Sequence, residues 1–358
     1  MPSLKEIKVR INSISSTLAI TSAMKMVAAA KLQKAQMAIQ NMLPYERRLY
    51  SMLVDLMGAM NISAAASEDG SVRGSGSAER GFDQSGDRLS LSNRHDLTGM
   101  DVAYSLMAQR EVRKVAIVAF ASNSSLCGAF NSNVIREATA VINEYRASGL
   151  GDADITVYSV GRKMAEAMKR LGFPSPADFT KMSDSPSYDA ASALAQELFD
   201  GFVSGRFDKV ELVYNHYKST SSQPTTRQTY LPLSLADATA DLQAGKITDS
   251  ASETDTNRVA EPVGAPVVRQ GSPTTEDLIV EPSKEALIAT LLPKVVRLRI
   301  FTTLLDSAAA EHAARTVAMQ LATDNGNDLL QELTLEYNKG RQQKITSEIL
   351  DLVGGSLQ

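Results

Sequence analysis

The chain has 358 residues, 43% hydrophobic, 5% aromatic and without Trp, and a net charge of −4. That length allows two or three domains with a substantial core, and the apolar share excludes a wholly disordered chain. The slight acidity argues against nucleic acid as a general partner, and the single cysteine, Cys127, excludes an intramolecular disulfide.

From Leu4 the apolar positions step by three and four: Leu4, Ile7, Ile11, Ile14, Leu18, Thr21, Lys25, Ala28, Leu32, Ala35, Ile39, Met42, Tyr45, Leu49, Met52, Leu56. This is a coiled-coil rhythm sustained over about seven heptads. As one helix it would be roughly 80 Å long. Pro44 lies inside the pattern and is expected to kink the helix or mark a joint. Thr21 and Lys25 put polar groups on the seam beside Ala28-Ala29-Ala30. Two readings stay open there: a plain buried seam with a snorkelling Lys, or a thin stretch of coil whose polar groups touch something outside it.

Between Met60 and Gly99 the composition turns to Ser, Gly, Asp, Ala and Arg, too poor in bulky residues to fold alone. A short helix near Val102–Arg110 is expected after it. Three apolar runs of strand length follow: 114–120, 154–160 and 209–215, with helical spacing at 130–145, 163–170 and 190–203. Alternating strands and helices imply a parallel, Rossmann-like sheet, to which Thr226–Leu233 adds a candidate edge strand. Ala236 to Asp277 again reads as a flexible insertion. Glu281-Pro282-Ser283 then opens a helix running to about Ser356, with Pro at a first-turn position. Pro293 is expected to kink that helix or mark its true start. Its apolar repeats include Leu287, Leu291, Val295, Leu298, Leu305, Leu330, Leu333, Tyr337, Ile345, Ile349 and Leu352.

The fold class expected is α/β: a long antiparallel coiled coil of N- and C-terminal helices plus a central Rossmann-like α/β domain. The division is 1–59 for the first coiled-coil helix, 60–110 for a low-complexity insertion and short helix, and 111–235 for the α/β domain. A flexible insertion at 236–280 and the second coiled-coil helix at 281–358 complete it. No apolar run reaches the ~20 residues a membrane span needs, so membrane contact is expected only through partners.

The sheet domain invites an enzyme reading that its motifs do not support. There is no G-x-x-x-x-G-K-[ST] loop and no G-x-G-x-x-G after Phe120, where Ser122–Gly128 has one glycine. His95, His216 and His312 lack metal-ligand spacing. Cys127 reads as a half-buried structural thiol rather than a nucleophile. Gly161-Arg162-Lys163 suits either an anion or a strand-ending turn with solvated charges. No cofactor is expected.

Three stretches are more specific. Ile20-Thr21-Ser22-Ala23-Met24-Lys25-Met26-Val27-Ala28-Ala29-Ala30-Lys31-Leu32 closely resembles the N-terminal signature of the gamma subunits of F1 ATP synthases. Residues 314–325, 332–342 and 345–349 resemble that family's C-terminal signature. Ser125-Leu126-Cys127-Gly128-Ala129-Phe130-Asn131 is similar to its central S-x-x-G-L-C-G-x-x-N loop, with Ser125 in place of the usual Gly.

The resemblance implies a non-catalytic rotor subunit of a proton-translocating ATP synthase. Its terminal helices would stand as a shaft inside the α3β3 hexamer of α and β subunits. The α/β domain would meet the epsilon subunit and the membrane's c-ring below. On that reading small and apolar groups (Ala28–Ala30, Met319, Leu321) suit a bearing collar. The expected partner contacts are Met24, Lys25 and Met319, with Arg341, Gln342 and Thr346 matching the family's R-Q-x-x-I-T. Gly340 stands where Ala is common; it costs up to ~1 kcal/mol of helix propensity and is expected to soften the shaft. Chloroplast members carry a regulatory cysteine pair, which a chain with only Cys127 cannot reproduce. Residues 1–7 show neither an apolar h-region nor a transit pattern, so a bacterial origin is expected, at the cytoplasmic face of the plasma membrane. A Rossmann-like enzyme with coiled-coil arms and a generic coiled-coil scaffold are the alternatives.

Overall fold

The computed structural model describes residues 3–59, 106, 110–233, 281 and 283–355. The two expected insertions, the short helix near 102–110 apart from Leu106 and Arg110, and His95 lie outside these residues.

Two long helices dominate: α1, Leu4–Ala59, and α6, Lys284–Gly355. At 56 and 72 residues they measure roughly 84 and 108 Å. Each starts at a serine. The Ser3 hydroxyl accepts from Glu6 N while the Glu6 carboxylate accepts from Ser3 N, a reciprocal capping box. The Ser283 hydroxyl accepts from Ala286 N. The prolines end neither helix, since α1 continues through Pro44 and α6 through Pro293. Pro44 is exposed, so the carbonyl its missing N–H leaves unpaired can turn to water instead of breaking the rod.

The helices run antiparallel in constant register. Leu4 packs at Gly340 and Leu18 at Gly326, two heptads apart on each leg. Thr21 lies against Thr323 and Leu32 against Ala309 and Ala313. The seam follows the sequence pattern down to Ile39 and then departs from it. Tyr45 and Met52 are exposed, while Glu46, Leu49, Leu53 and Leu56 are buried. A strict three–four alternation from Ile39 leads to Met42, Glu46, Leu49, Leu53 and Leu56. The apolar Tyr45 concealed that register because its true occupant is a carboxylate, Glu46, paired with Arg299 across the coil at 3.6 Å.

Between the legs lies a sheet of β1 (Val115–Phe120), β2 (Ile155–Val160), β3 (Lys209–Asn215) and β4 (Thr225–Leu231) in the order β2-β1-β3-β4. The first three are parallel, as strand–helix alternation requires, and β4 adds antiparallel to β3. The connecting helices are α2 (Phe130–Ala147), α3 (Arg162–Arg170), α4 (Thr180–Asp184) and α5 (Tyr188–Val203).

β1 is buried throughout, and its alternate residues serve two cores. Val115, Ile117 and Ala119 pack against Val134, Val141 and Ile142 of α2 and Met164 and Met168 of α3. Ala116, Val118 and Phe120 face Leu194, Leu198 and Phe202 of α5 together with Leu49, Leu53 and Leu56 of α1 and Ile288–Leu304 of α6. The foot of the coil is therefore one layer of the sandwich rather than an arm attached to it. Leu106 belongs to the same core, and its carbonyl accepts from Leu233 N at 2.8 Å.

Candidate functional site

The order β2-β1-β3 places a topological switch between β1 and β3. In open α/β sheets ligands enter the crevice beyond the carboxyl ends of the strands at such a point. Here α6 fills that crevice. The loop after β1 and the turn after β3 both lie against it.

The β1 loop is tied by its own motif. Buried Ser122 donates its backbone N–H to Asn131 Oδ1 at 3.0 Å, and Asn131 Nδ2 donates to Ser122 Oγ at 2.8 Å. Asn131 Nδ2 also reaches Cys127 Sγ at 3.2 Å. Leu126 and Gly128 adopt left-handed φ of 69° and 58°; only glycine does so at little cost. The loop then presses Cys127 and Phe130 onto Ala310 and Ala314 of α6. A Cβ at Gly128 would lie 3.8 Å from that of Ala318. Arg315 of α6 answers by donating to Ser124 Oγ at 2.7 Å while pairing with Glu311 at 2.8 Å. Burial raises the Glu311 pKa, against the pull of the Arg315 charge.

The turn after β3 reaches both legs. Asp306 of α6 accepts from Tyr217 N at 2.9 Å and meets His216 Nδ1 at 2.6 Å. The Tyr217 hydroxyl accepts from Gln36 Nε2 of α1 at 2.6 Å. The hydrogen bond to Asp306 raises the His216 pKa, opposed by partial burial and Lys218. Asn215, buried at the end of β3, donates to Phe130 O at 3.0 Å and so joins the turn to the β1 loop.

Groups that could suggest chemistry are otherwise engaged. Cys127 is fully buried, deeper than the half-buried thiol expected. Gly161 has φ 96°, and a Cβ there would lie 2.0 Å from Ala121 O. Arg162 spends its N–H on Asn123 Oδ1 and its guanidinium on Asn123 O, both at 2.7 Å. The Gly161–Lys163 segment is thus a strand-ending turn rather than an anion cradle. His312, near Arg315 and Lys31, has its pKa lowered to about 4, by burial first and then by those charges. No group of three or more His, Cys, Asp or Glu among the described residues could hold a metal ion.

Of the six expected contact residues, five present surface. Met24 and Lys25 are half-buried, and Lys25 Nζ donates to Gln320 Oε1 at 2.8 Å across the coil. Arg341, Gln342 and Thr346 are exposed, with the Thr346 hydroxyl donating back to Gln342 O. Met319 does not fit the expectation. It is 4% exposed, turned into the seam beside its small neighbours, and so packs the coil rather than facing outward. Ala28 is buried for the same reason, whereas Ala29, Ala30 and Leu321 are exposed. The outward apolar belt at this level also includes Ile20, Met26 and Val27, all more than half exposed, which the heptad pattern alone did not single out.

Among the described residues, the shaft above Gly340 is a single helix. α1 begins at Leu4, opposite Gly340, so Arg341–Gly355 projects about 22 Å alone. Ile345, Ile349 and Leu352 continue the heptad and are 47–75% exposed. An apolar stripe with no partner among the described residues marks an interaction surface.

The fold defines a class: a coiled-coil shaft seated in the switch point of an α/β head, its tip a single helix among the described residues. Comparison with known proteins is specific. The ATP synthase family model matches residues 3–357. The ATP synthase gamma chain of Phocaeicola vulgatus is 46% identical over 357 residues, and that of Bacteroides thetaiotaomicron 44% over 358, each covering all of both chains. Among solved structures, a chain of the Euglena gracilis mitochondrial ATP synthase OSCP/F1/c-ring assembly matches with TM-score 0.52 and 17% identity, covering 99% of this chain and 93% of its own. This chain belongs to the ATP synthase gamma-chain family.

Proposed function

We infer that the chain is the central-stalk rotor subunit of a proton-translocating F-type ATP synthase, without a catalytic site of its own. It couples rotation of the c-ring to the conformational cycle of the α3β3 hexamer. The observation that carries this reading is the tip. Fifteen residues of helix, Arg341–Gly355, keep their heptad apolar positions in water, which suits a sleeve supplied by other subunits. The apolar belt of Ile20, Met26, Val27 and Leu321 is a second collar of the same kind. It presents side chains that can slide without directional bonds, whereas polar groups bias particular states of a partner. Those groups are Lys25, beside Met24 at the belt, and Arg341, Gln342 and Thr346 on the tip. The α/β head, residues 111–235, with the foot of the coil takes the epsilon subunit and the c-ring. The segments 1–59 and 281–358 form the shaft, 60–110 is a low-complexity insertion with a short helix, and 236–280 is a second insertion. No described helix is long and apolar enough to cross a membrane, and the protein sits peripherally at the cytoplasmic face of a bacterial plasma membrane, held by its partners.

The test is Arg341→Ala and Gln342→Ala in a complex reconstituted with α, β and c subunits. ATP hydrolysis or assembly should fall while the melting temperature of the isolated chain stays unchanged, because these side chains support nothing in the fold. Unchanged hydrolysis and coupling in both variants would remove these residues from the contact set. Micromolar nucleotide binding by the isolated chain would favour an enzyme instead.

A further inference from the structure

The joint between head and shaft is not uniform. At the foot, α1 and α6 are buried in the sheet's own core. Above it, on the β3–β4 side, the coil parts from the sheet and leaves a cleft of about 420 Å³, lined among others by Ile39, Met42, Leu305 and Thr302 of the coil and Tyr214 and Thr226 of the sheet. The turn after β3 bridges the top of this cleft. It holds α6 through Asp306 and α1 through Gln36. Its Tyr217 ring packs against both the coil cluster of Leu32, Ala309 and Ala313 and the loop cluster of Cys127, Phe130 and Ala310. The turn is braced from within: His216 N donates to Pro224 O at 2.9 Å, and Gln223 Nε2 to Ser219 O and Thr220 O.

We propose that His216 and Tyr217, with Asp306 and Gln36, form a clasp that fixes the angle of the shaft relative to the head and so passes torque between them. This rests on the rotor reading. Tyr214 of the sheet and Met42 and Tyr50 of the coil pack at the margin of the cleft, and the clasp adds hydrogen bonds to both legs across it. The clasp seizes the two legs from one turn, which prevents the coil from twisting as a pair against the sheet. The foot core and the β1 loop seated on Ala310 and Ala314 are the other two supports. With three comparable supports in parallel, release of one lowers the stiffness by about a third and raises the angular variance about 1.5-fold. Tyr217 and Asp306 are positioning residues, since both spend their polar groups at the joint between head and coil.

The experiment uses the assembled complex with the hexamer fixed to a surface and a bead on the head of this chain. Tyr217→Phe removes the bond to Gln36 and keeps the ring; Asp306→Asn weakens the hold on His216 and keeps an acceptor for Tyr217 N. The double variant should raise the angular variance of the paused bead about 1.5-fold, leave ATP hydrolysis unchanged, and lower the exchange protection of the Tyr217 amide about tenfold, as expected for loss of a charge-assisted hydrogen bond. Each single variant should fall between. Lost amide protection with unchanged variance would overturn the proposal, because the clasp would open without consequence. Unchanged amide protection in both singles and the double would overturn it too, since the turn would be held by other contacts. A bead that fails to rotate with ATP on the unmodified complex would sink the rotor reading instead, which separates the two failures.

Discussion

One substitution, Gly→Ala, should have opposite effects at two positions of α6. Gly340 was expected to soften the shaft, yet it faces Leu4 across the coil, and Gly326 faces Leu18 in the same way two heptads below. A Cβ at Gly326 would lie 2.6 Å from Leu18 Cδ2 and 3.1 Å from its Cγ, whereas at Gly340 the nearest atom is Leu4 Cδ2 at 3.1 Å. Alanine gains about 0.8–1.0 kcal/mol of helix propensity at either site. At Gly326 it forces Leu18 out of its place in the seam, an overpacking cost of about 1–3 kcal/mol. The net effect should be destabilising by up to ~2 kcal/mol. At Gly340 the neighbour must give by a few tenths of an ångström at the first helical residue of α1, where a side chain moves readily. The balance there should be stabilising by about 0.5 kcal/mol. Amide exchange across 322–330 and 336–344 measures the local opening free energy of each region. Leu18→Ala should reverse the sign at Gly326, because the added methyl then fills the vacated space. If Gly326→Ala protects its region as much as Gly340→Ala protects its own, the close seam at Leu18 is wrong and Gly326 is merely a weak helix residue.

Three further outcomes follow from buried groups. Gly161→Ala should cost more than ~2 kcal/mol and lower the melting temperature sharply, since its Cβ would overlap Ala121 O in a left-handed conformation. Wild-type stability in that variant would contradict the β2–α3 turn. Cys127, fully buried under α6, should resist a thiol reagent such as dithionitrobenzoate in the native chain and react on unfolding; fast native labelling would show that the β1 loop leaves its seat. His312, with its pKa lowered from 6.5 to about 4, binds a proton less readily folded than unfolded. Its contribution is present above about pH 6.5 and is lost as pH falls toward 4, by at most about 3 kcal/mol. Denaturant titrations of His312→Asn should therefore show a shallower loss of stability between pH 6.5 and 4. His216 runs the other way, its raised pKa stabilising at low pH and losing that effect as pH rises through it, so the His312 slope should be measured in a His216→Asn background as well.

The legs of the coil were legible because their period is local: each apolar residue announces the next three or four positions on. The strands were legible as short apolar runs, since a buried parallel strand needs no polar face. The register below Ile39 was not. A buried Glu46 reads as surface until Arg299, far along the chain, is found beside it. Met319 failed for a related reason. Around Met319 apolar side chains (Val317, Ala318, Leu321, Ala322) fall on more than one face of the helix, and only the partner leg decides which one is inside. The seat of the shaft was out of reach altogether, although its residues lay in plain view. Ser122, Gly128 and Asn131 could be seen as a motif, but not that the motif folds onto Ala310, Ala314 and Ala318.

That seat explains why a sheet of this topology carries none of the phosphate-binding sequence expected of it. A dinucleotide fold uses the glycines after its first strand to let a pyrophosphate approach the backbone at a helix N-terminus. Here the corresponding loop uses Gly128 to let another helix approach, with Ala318 at van der Waals distance. Ser122 and Asn131 spend their hydrogen bonds on each other rather than on a ligand. The same crevice cannot hold both. A bound nucleotide makes a site that opens and closes, while a helix laid in the crevice ties the sheet's two central strands to a rod. The small residues of α6 at 308–310, 313 and 314 are what allow that depth of seating, so replacing Ala310 with a larger side chain should loosen the head from the shaft before it disturbs the coil itself.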